Sequence, residues 1–423
     1  MTLILQTPQN VRLGLQCILL DNSPIYPIFA MQKRLLYIGA FLLSLLTASS
    51  TLSAQGLTRE QAEQTKRAII DEWYYDVRQR TDYITKEKAI IRDSTTMRLK
   101  FIIYGNRPSD GRSLYISLHG GGGAPKELND QQWENQWYLY QPKEGVYVCP
   151  RAPYDLWNMH FVTGMDQMYR DIILYAWSHL AVNPDKVYIL GYSAGGDGVW
   201  RLAPRMADSW AAASMMAGHP GDVSLTSLRN LPFMIWCGAN DEAYNRNQLC
   251  TEKIALLDSL SNTDKGGYIH EGHIVAGKPH WMDRIDTLAI SWMSQYRRNP
   301  YPHKIAWCQG DELHKYFYWV GVNENEMQKG KEVLLHTDDN TIYIDKSDYT
   351  ELNLYLNDEI VNLDKPVIVK VNKRQKAEKN HNPKYATIFK GKLQRDAKTM
   401  RRTLIEHQDA RYIFDAEIHL YRL

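Results

Sequence analysis

This chain lacks the usual marks of metal, nucleotide or nucleic-acid chemistry. Cysteine is scarce, five in 423 residues, and none of the five stands at a zinc-type spacing. His270-Glu271-Gly272-His273 has the wrong spacing for two ligands on one helix face. There is no phosphate-binding P-loop and no Gly-x-Gly-x-x-Gly between a strand and a helix, so neither metal nor cofactor is expected. Charge of one sign is missing too. Lys plus Arg is 50 and Asp plus Glu is 48, a net +2, which leaves no concentrated positive surface for a phosphate backbone. No nucleic-acid partner is expected. Repeats and low-complexity tracts are absent, and 44% hydrophobic with 23% charged residues suits a folded chain with a sizeable core.

A long hydrophobic run is also absent. Leu35 to Leu46 is too short to span a bilayer comfortably, follows the basic pair Lys33-Arg34, and leads into small residues ending at Ala54. Residues 31–54 therefore read as a cleaved secretory signal, with Leu52 large for its place before the cut. The protein is expected to be periplasmic or secreted, with no stable membrane span after cleavage. Residues 1–30 read as an upstream extension and Met31 as the true start. Residues 1–54 carry three positive charges and one negative, so the remainder is close to neutral. Cys149, Cys237, Cys250 and Cys308 remain after cleavage. Export permits disulfides, but Cys149 and Cys237 each end an apolar run and read as buried thiols.

Residues 55–96 are polar and helix-permissive, a helical lead-in. From residue 97 short apolar runs alternate with amphipathic stretches: Leu99 to Tyr104, Leu114 to Leu118, Val146 to Cys149, Val187 to Leu190, Ala211 to Met216 and Phe233 to Cys237. Such runs suit strands buried on both faces. Between two of them Asp166 to Leu180 sets Met168, Ile172, Ala176 and Leu180 on one helical face, and Asp283 to Tyr296 reads as the last helix of this region. The pattern predicts an α/β fold, a doubly wound, mostly parallel sheet over residues 97–300. Past Asn299-Pro300 the period changes to two. Glu351 to Leu356 alternates cleanly and Pro366 to Val371 answers it, so residues 301–423 are expected to form a smaller β-rich, antiparallel module.

Residues 187–198, VYILGYSAGGDG, run a buried strand into Gly191-Tyr192-Ser193-Ala194-Gly195 and then a helical pattern. This is the Gly-x-Ser-x-Gly elbow in its required context, with Ser193 as nucleophile. An oxyanion hole needs backbone donors from two places. Ala194 follows the nucleophile, and Leu114 to Leu118 leads into His119-Gly120-Gly121-Gly122-Gly123, whose Gly121 and Gly122 are the other candidates. His119 reads as a loop-shaping residue. The acid should follow a later strand: Asp241 is the choice, Glu242 the runner-up. Asp197 is too near the elbow and reads as support for the helix start. The base is expected at His280, on the loop before the last helical pattern, with His273 as competitor. Neutral His280 would take the Ser193 proton and Asp241 would orient its ring.

HGGGG, PRAP (150–153), GYSAGGDGVW, MAGHP (216–220), GANDEAYNRN (238–247) and GKPHWM together resemble a bacterial family of α/β-hydrolases. Its members are phospholipase/carboxylesterase-like, or poly(3-hydroxybutyrate)-depolymerase-like, serine esterases. The resemblance spans roughly residues 97–320. It implies the α/β-hydrolase fold, Ser193, Asp241 and His280 as the triad, and the Gly120 to Gly123 loop as oxyanion donor. Pro279 stands where a glycine would be expected.

The expected substrate is a small-molecule or polymer-linked carboxylic ester. Trp157, His160, His219 and Tyr244, each on a loop after a strand end, are the candidates for lining its pocket. Trp133, Trp137, Tyr138 and Tyr140 read as core. The short polar link from Met216 to Leu231 leaves no room for a large apolar lid. The basic stretch from Lys370 to Arg402 reads as a solvated face. Two other readings stay open: a serine peptidase on the same scaffold, and a non-catalytic glycan- or surface-binding protein working through the β module.

Overall fold

The computed structural model describes residues 56–373 and 384–423. The upstream extension (1–30) and the signal peptide (31–54) lie outside the described residues, as does part of the basic stretch. Residues Leu57–Leu423 form one compact unit. No described helix is long and apolar enough to cross a membrane.

The expected fold class is what the structure has. Eight strands form the main sheet: β1 (Ala89–Arg92), β2 (Thr95–Tyr104), β3 (Arg112–Leu118), β4 (Gly145–Pro150), β5 (Val182–Tyr192), β6 (Ala212–Met216), β7 (Phe233–Gly238) and β8 (His270–Val275). Their order is β1-β2-β4-β3-β5-β6-β7-β8. Pairing is antiparallel through β1, β2 and β4, and parallel from there to β8. The helical lead-in stops at Glu87, after α1 (Arg59–Thr81) and α2 (Tyr83–Glu87); the rest of that segment joins the sheet.

Strand side chains alternate between two cores, as the pleat requires. Leu114, Ile116 and Leu118 pack into one, with α4 (Met165–His179) and α5 (Ala194–Arg205) over them. Tyr115, Tyr147 and Tyr188 pack into the other, beneath α3 (Lys126–Leu139) and the short α7 (Leu288–Met293). Burial on both faces is why these strands read as unbroken apolar runs. The Asp283 to Tyr296 pattern yields only a 3-10 turn and α7, six residues long. Between β7 and β8 lies α6 (Arg246–Thr263).

The C-terminal part is β-rich, with one helix, α8 (Ala397–His407). Its strands are β9 (Lys304–Cys308), β10 (Tyr316–Phe317), β11 (Val320–Gly321), β12 (Glu332–Asp338), β13 (Thr341–Ser347), β14 (Glu351–Leu356), β15 (Val367–Asn372), β16 (Tyr385–Gly391) and β17 (Ala416–Tyr421). They form two sheets, β10-β11-β14-β17 and β16-β15-β13-β12-β9. The two segments expected to answer one another, β14 and β15, sit in different sheets, and β15 pairs parallel with β13. Alternation fixes which face a strand buries and says nothing of its partner.

The core continues across residue 300. Ile305, Trp307, Phe317 and Trp319 share a cluster with Trp200 and Phe233. Arg298 is buried between Asp185 (3.0 Å) and Asp409 (2.5 Å), and Tyr412 donates to the Asp208 carbonyl (2.7 Å). Helix α1, opened by a Thr58–Gln61 capping box, lays Ala62, Ile69, Trp73 and Val77 against Leu174 and the Met400 and Leu404 side chains of α8.

Candidate active site

Strand β5 ends in a sharp turn. Ser193 has φ 58° and ψ −121°, and α5 begins at Ala194. Positive φ at a residue with a Cβ costs about 1–2 kcal/mol. The surroundings hold it. The Ser193 N–H donates to the Met216 carbonyl at 2.9 Å. A Cβ at Gly191 would lie 2.3 Å from the Gly195 carbonyl oxygen, and one at Gly195 would lie 2.1 Å from that of Leu118. Both elbow positions therefore exclude every residue except glycine.

The structure brings Ser193, His280 and Asp241 together. The Ser193 hydroxyl lies 2.9 Å from His280 Nε2, and His280 Nδ1 lies 2.7 Å from Asp241 Oδ2. A carboxylate accepts, so Nδ1 carries the ring proton and Nε2 is left to accept from the serine. Asp241 is buried just past β7, where its second oxygen meets Arg246 Nη1 at 3.3 Å. The competitors lie elsewhere. Glu242 is exposed. His273 sits within β8, stacked on Trp236 at 4.0 Å and 3.3 Å from Glu271. Asp197 is in the first turn of α5 but reaches out of it, accepting from the His219 N–H at 2.6 Å.

Tyr192, which sequence reasoning left unassigned, steadies the base. Its hydroxyl donates to the His280 carbonyl (2.6 Å) and accepts from the Met282 N–H (3.2 Å). Burial pushes its phenol well above the ordinary range, so it stays protonated and can do both.

The glycine loop approaches the nucleophile closely, since a Cβ at Gly120 would lie 3.3 Å from that of Ser193. Gly121 and the helix-opening Ala194 both present N–H groups with no protein acceptor among the described residues, Ala194 because the first turn of a helix leaves its donors unpaired. Gly122 corrects the expectation made for it. Its N–H donates to Asn129 Oδ1 at 3.0 Å and is not available to an oxyanion. Asn129 is fully buried, and its amide nitrogen donates to the carbonyls of Gly122 (3.0 Å) and Ala124 (3.1 Å) and to Asp155 (2.9 Å). Asn129 therefore shapes this loop from α3, seven residues downstream. Gly121 has φ 111°, and a Cβ there would meet Asn129 Oδ1 at 2.0 Å, so the second glycine is as obligatory as those of the elbow.

His119 shapes the other end. Nδ1 donates to the Gly120 carbonyl (2.7 Å) and Nε2 accepts from the Ala152 N–H (3.1 Å). Burial and the neighbouring His160 hold its pKa well below the usual value, keeping the ring neutral. His160 also departs from expectation. It is fully buried behind the loop, donating from Nε2 to the His119 carbonyl (2.8 Å), with its pKa pushed down to about 4 by burial. It lines no pocket.

An open cleft of about 700 Å³ runs past Ser193 and His280. Its walls are Leu128, Gln132, Tyr138 and Leu139 of α3, with Trp281 and Arg284 opposite. Tyr138, expected in the core, is 58% exposed here, whereas Trp133 and Tyr140 are buried. Trp157 is 65% exposed and packs beside Gly122 and Gly123, lining a second groove with Arg201 and Asp222. His219 accepts from the Gly221 N–H, and Tyr244 is 76% exposed under the Arg246 guanidinium; neither lines the cleft. Asp283 (φ 53°) and Arg284 (φ 66°) are both left-handed, a strained pair at the cleft wall. The four cysteines among the described residues are free thiols. Among the described residues no group of His, Cys, Asp and Glu could hold a metal ion.

No family model matches the chain, and no curated protein matches it. Solved structures do. A thermostable esterase is similar over 50% of this chain at 17% identity and a TM-score of 0.39; the match spans 62% of that esterase, under two thirds of its length. S-formylglutathione hydrolase FrmB from Staphylococcus aureus is similar over 47% of this chain and 93% of its own (16% identity, TM-score 0.32). The CE1 ferulic acid esterase AmCE1/Fae1A from the anaerobic fungus Anaeromyces mucronatus is similar over 49% and 88% (15% identity, TM-score 0.34).

Proposed function

We propose that this chain is an exported serine hydrolase that cleaves carboxylic esters through an acyl-enzyme on Ser193. The observation that carries the reading is the hydrogen-bonded series Asp241–His280–Ser193 opening onto a cleft. His280 Nε2 takes the hydroxyl proton as Ser193 Oγ attacks the ester carbonyl. The N–H groups of Gly121 and Ala194 stabilise the oxygen on which negative charge develops. The imidazolium, stabilised by Asp241, returns the proton to the departing alcohol. Water, deprotonated by the same histidine, then releases the acid and frees Ser193. Export rests on the signal-like residues 31–54.

The test is hydrolysis of p-nitrophenyl acetate and butyrate by protein beginning at Gln55, beside Ser193→Ala, with a fluorophosphonate probe. Wild type should turn over and take the label. The variant should lose at least about 10⁴-fold in kcat and take none. An active Ser193→Ala, or a wild type with neither turnover nor label, refutes the reading.

A further inference from the structure

The cleft beside Ser193 is unusual in its charge. Its lining includes no carboxylate and one permanently charged side chain, Arg284. Asp283 pairs with Lys278 at 2.7 Å; buried Asp286, two residues on, accepts from the Tyr140 hydroxyl at 2.5 Å and feels the Arg284 charge without forming an ion pair with it. Arg284 itself makes one hydrogen bond, from Nη2 to the Leu139 carbonyl at 2.9 Å, and has no carboxylate within ion-pair distance among the described residues. A guanidinium has five N–H donors in a planar fork. This contact anchors the head against the end of α3, next to Tyr138, and leaves its other N–H donors without a protein acceptor among the described residues, on an exposed side chain that lines the cleft.

The backbone adds a second observation. Asp283 and Arg284 both hold left-handed conformations. Three contacts keep them there: the Lys278–Asp283 pair, the Met282 N–H on Tyr192, and Arg284 on Leu139. Strain of this kind persists where neighbours over-determine it and concentrates at ligand-binding sites. Its effect is to turn Trp281 and Arg284 into the cleft four residues or fewer after the base.

We propose that Arg284 is a specificity-determining residue, and that the preferred esters carry a carboxylate or similar anion that reaches the Tyr138–Arg284 end of the cleft. This rests on the esterase reading of Ser193. The apolar wall of Leu128, Tyr138, Leu139 and Trp281 takes the body of such a substrate, and the fork takes the anion, bidentate where geometry allows. A cap on the C-terminal end of α3 is the structural role this contact also serves; a cap alone does not discriminate among substrates by charge.

The experiment compares kcat/KM for matched pairs on both sides of the ester. The acyl pair is p-nitrophenyl hydrogen glutarate against p-nitrophenyl valerate. The alcohol pair is 4-acetoxybenzoate against its methyl ester. In one pair wild type should favour the anionic member by about 10-fold at low salt, the preference shrinking as ionic strength rises to about 0.15 M. Arg284→Gln, which keeps a donor for Leu139, should abolish the preference, read as the ratio of kcat/KM within each pair. Arg284→Glu should reverse it. Wild-type butyrate turnover with no charge preference in either pair, or a preference that Arg284→Gln leaves intact, overturns the proposal. Absence of butyrate turnover would instead count against the esterase reading itself.

Discussion

Asn129→Ala isolates the scaffold of the oxyanion loop from the chemistry it serves. The amide makes four hydrogen bonds, three of them to the loop itself. Truncation leaves the Gly122 N–H and the Ala124 carbonyl without partners, while the Gly122 carbonyl keeps the Ala124 N–H at 2.7 Å. Each unsatisfied group costs about 1–3 kcal/mol, and water entering the vacated volume recovers part of that. A net loss of about 2–4 kcal/mol of stability is expected, read as a lower urea midpoint at unchanged slope. The catalytic effect should be larger than the stability effect suggests. Gly121 keeps φ 111° because Asn129 fixes the residue after it. A loop free to relax turns the Gly121 N–H away, and losing one such donor costs about 10²–10³-fold in kcat. KM should change little, since Asn129 does not line the cleft, and Ser193 should still take the fluorophosphonate. Steady-state kinetics on p-nitrophenyl butyrate at a temperature well below the variant's melting point separates the two effects. A variant with wild-type kcat and a lowered urea midpoint would refute the reasoning, because the loop would then hold its shape without the amide.

Asp241→Asn should lower kcat by about 10⁴-fold while the chain stays folded, because the amide can donate to His280 and select the wrong tautomer; wild-type kcat would remove Asp241 from the site. Stability should fall as pH drops from about 6.5 towards 4. His160 and His407, both held at about 4 by burial, stay neutral when folded and gain protons on unfolding across that window. His160→Gln should flatten the slope by one proton, about 3 kcal/mol over the whole window, in urea midpoints at pH 7, 5.5 and 4.5; parallel slopes would contradict it. Protein beginning at Gln55 should release four thiols to a disulfide reagent in urea and react slowly when native. Cys149, Cys237 and Cys250 are buried, and burial raises the Cys308 pKa. Fewer than four in urea would mean a bridge.

What was legible in the sequence was what is local. The elbow, the glycine loop and the acid after β7 each lie within about ten residues, and their residue types are dictated by backbone geometry that tolerates nothing else. Gly191 and Gly195 are the clearest case. Chain order leaves His273 and His280 both open, and the place of His280 on the loop before the last helical pattern decides between them. What stayed hidden depends on the orientation of a helix or on which side a loop residue turns. The aromatic run from Trp133 to Tyr140 reads as core, yet a helix rotates its residues by 100° each, so Tyr138 faces the cleft while Trp133 points inward; Tyr140, extended just past the helix end, is buried again. His160 stands on the expected loop and turns towards His119 instead of outward. The glycine motif marks the donor loop without saying which N–H is free, because Asn129 that claims Gly122 comes from another element.

The shared core across residue 300 has a practical meaning for how this molecule can be cut, evolved or lost. A chain ending there would keep Arg298 beside Asp185 but lose its second carboxylate, Asp409, and would open the face of Trp200 and Phe233 to water. The β-rich half is thus less an accessory than the outer wall of the room in which the catalytic half is built. The two halves should melt in one event and resist proteolysis as one body. Shortening the gene at the point where the sequence pattern changes should yield aggregate, not a smaller catalyst.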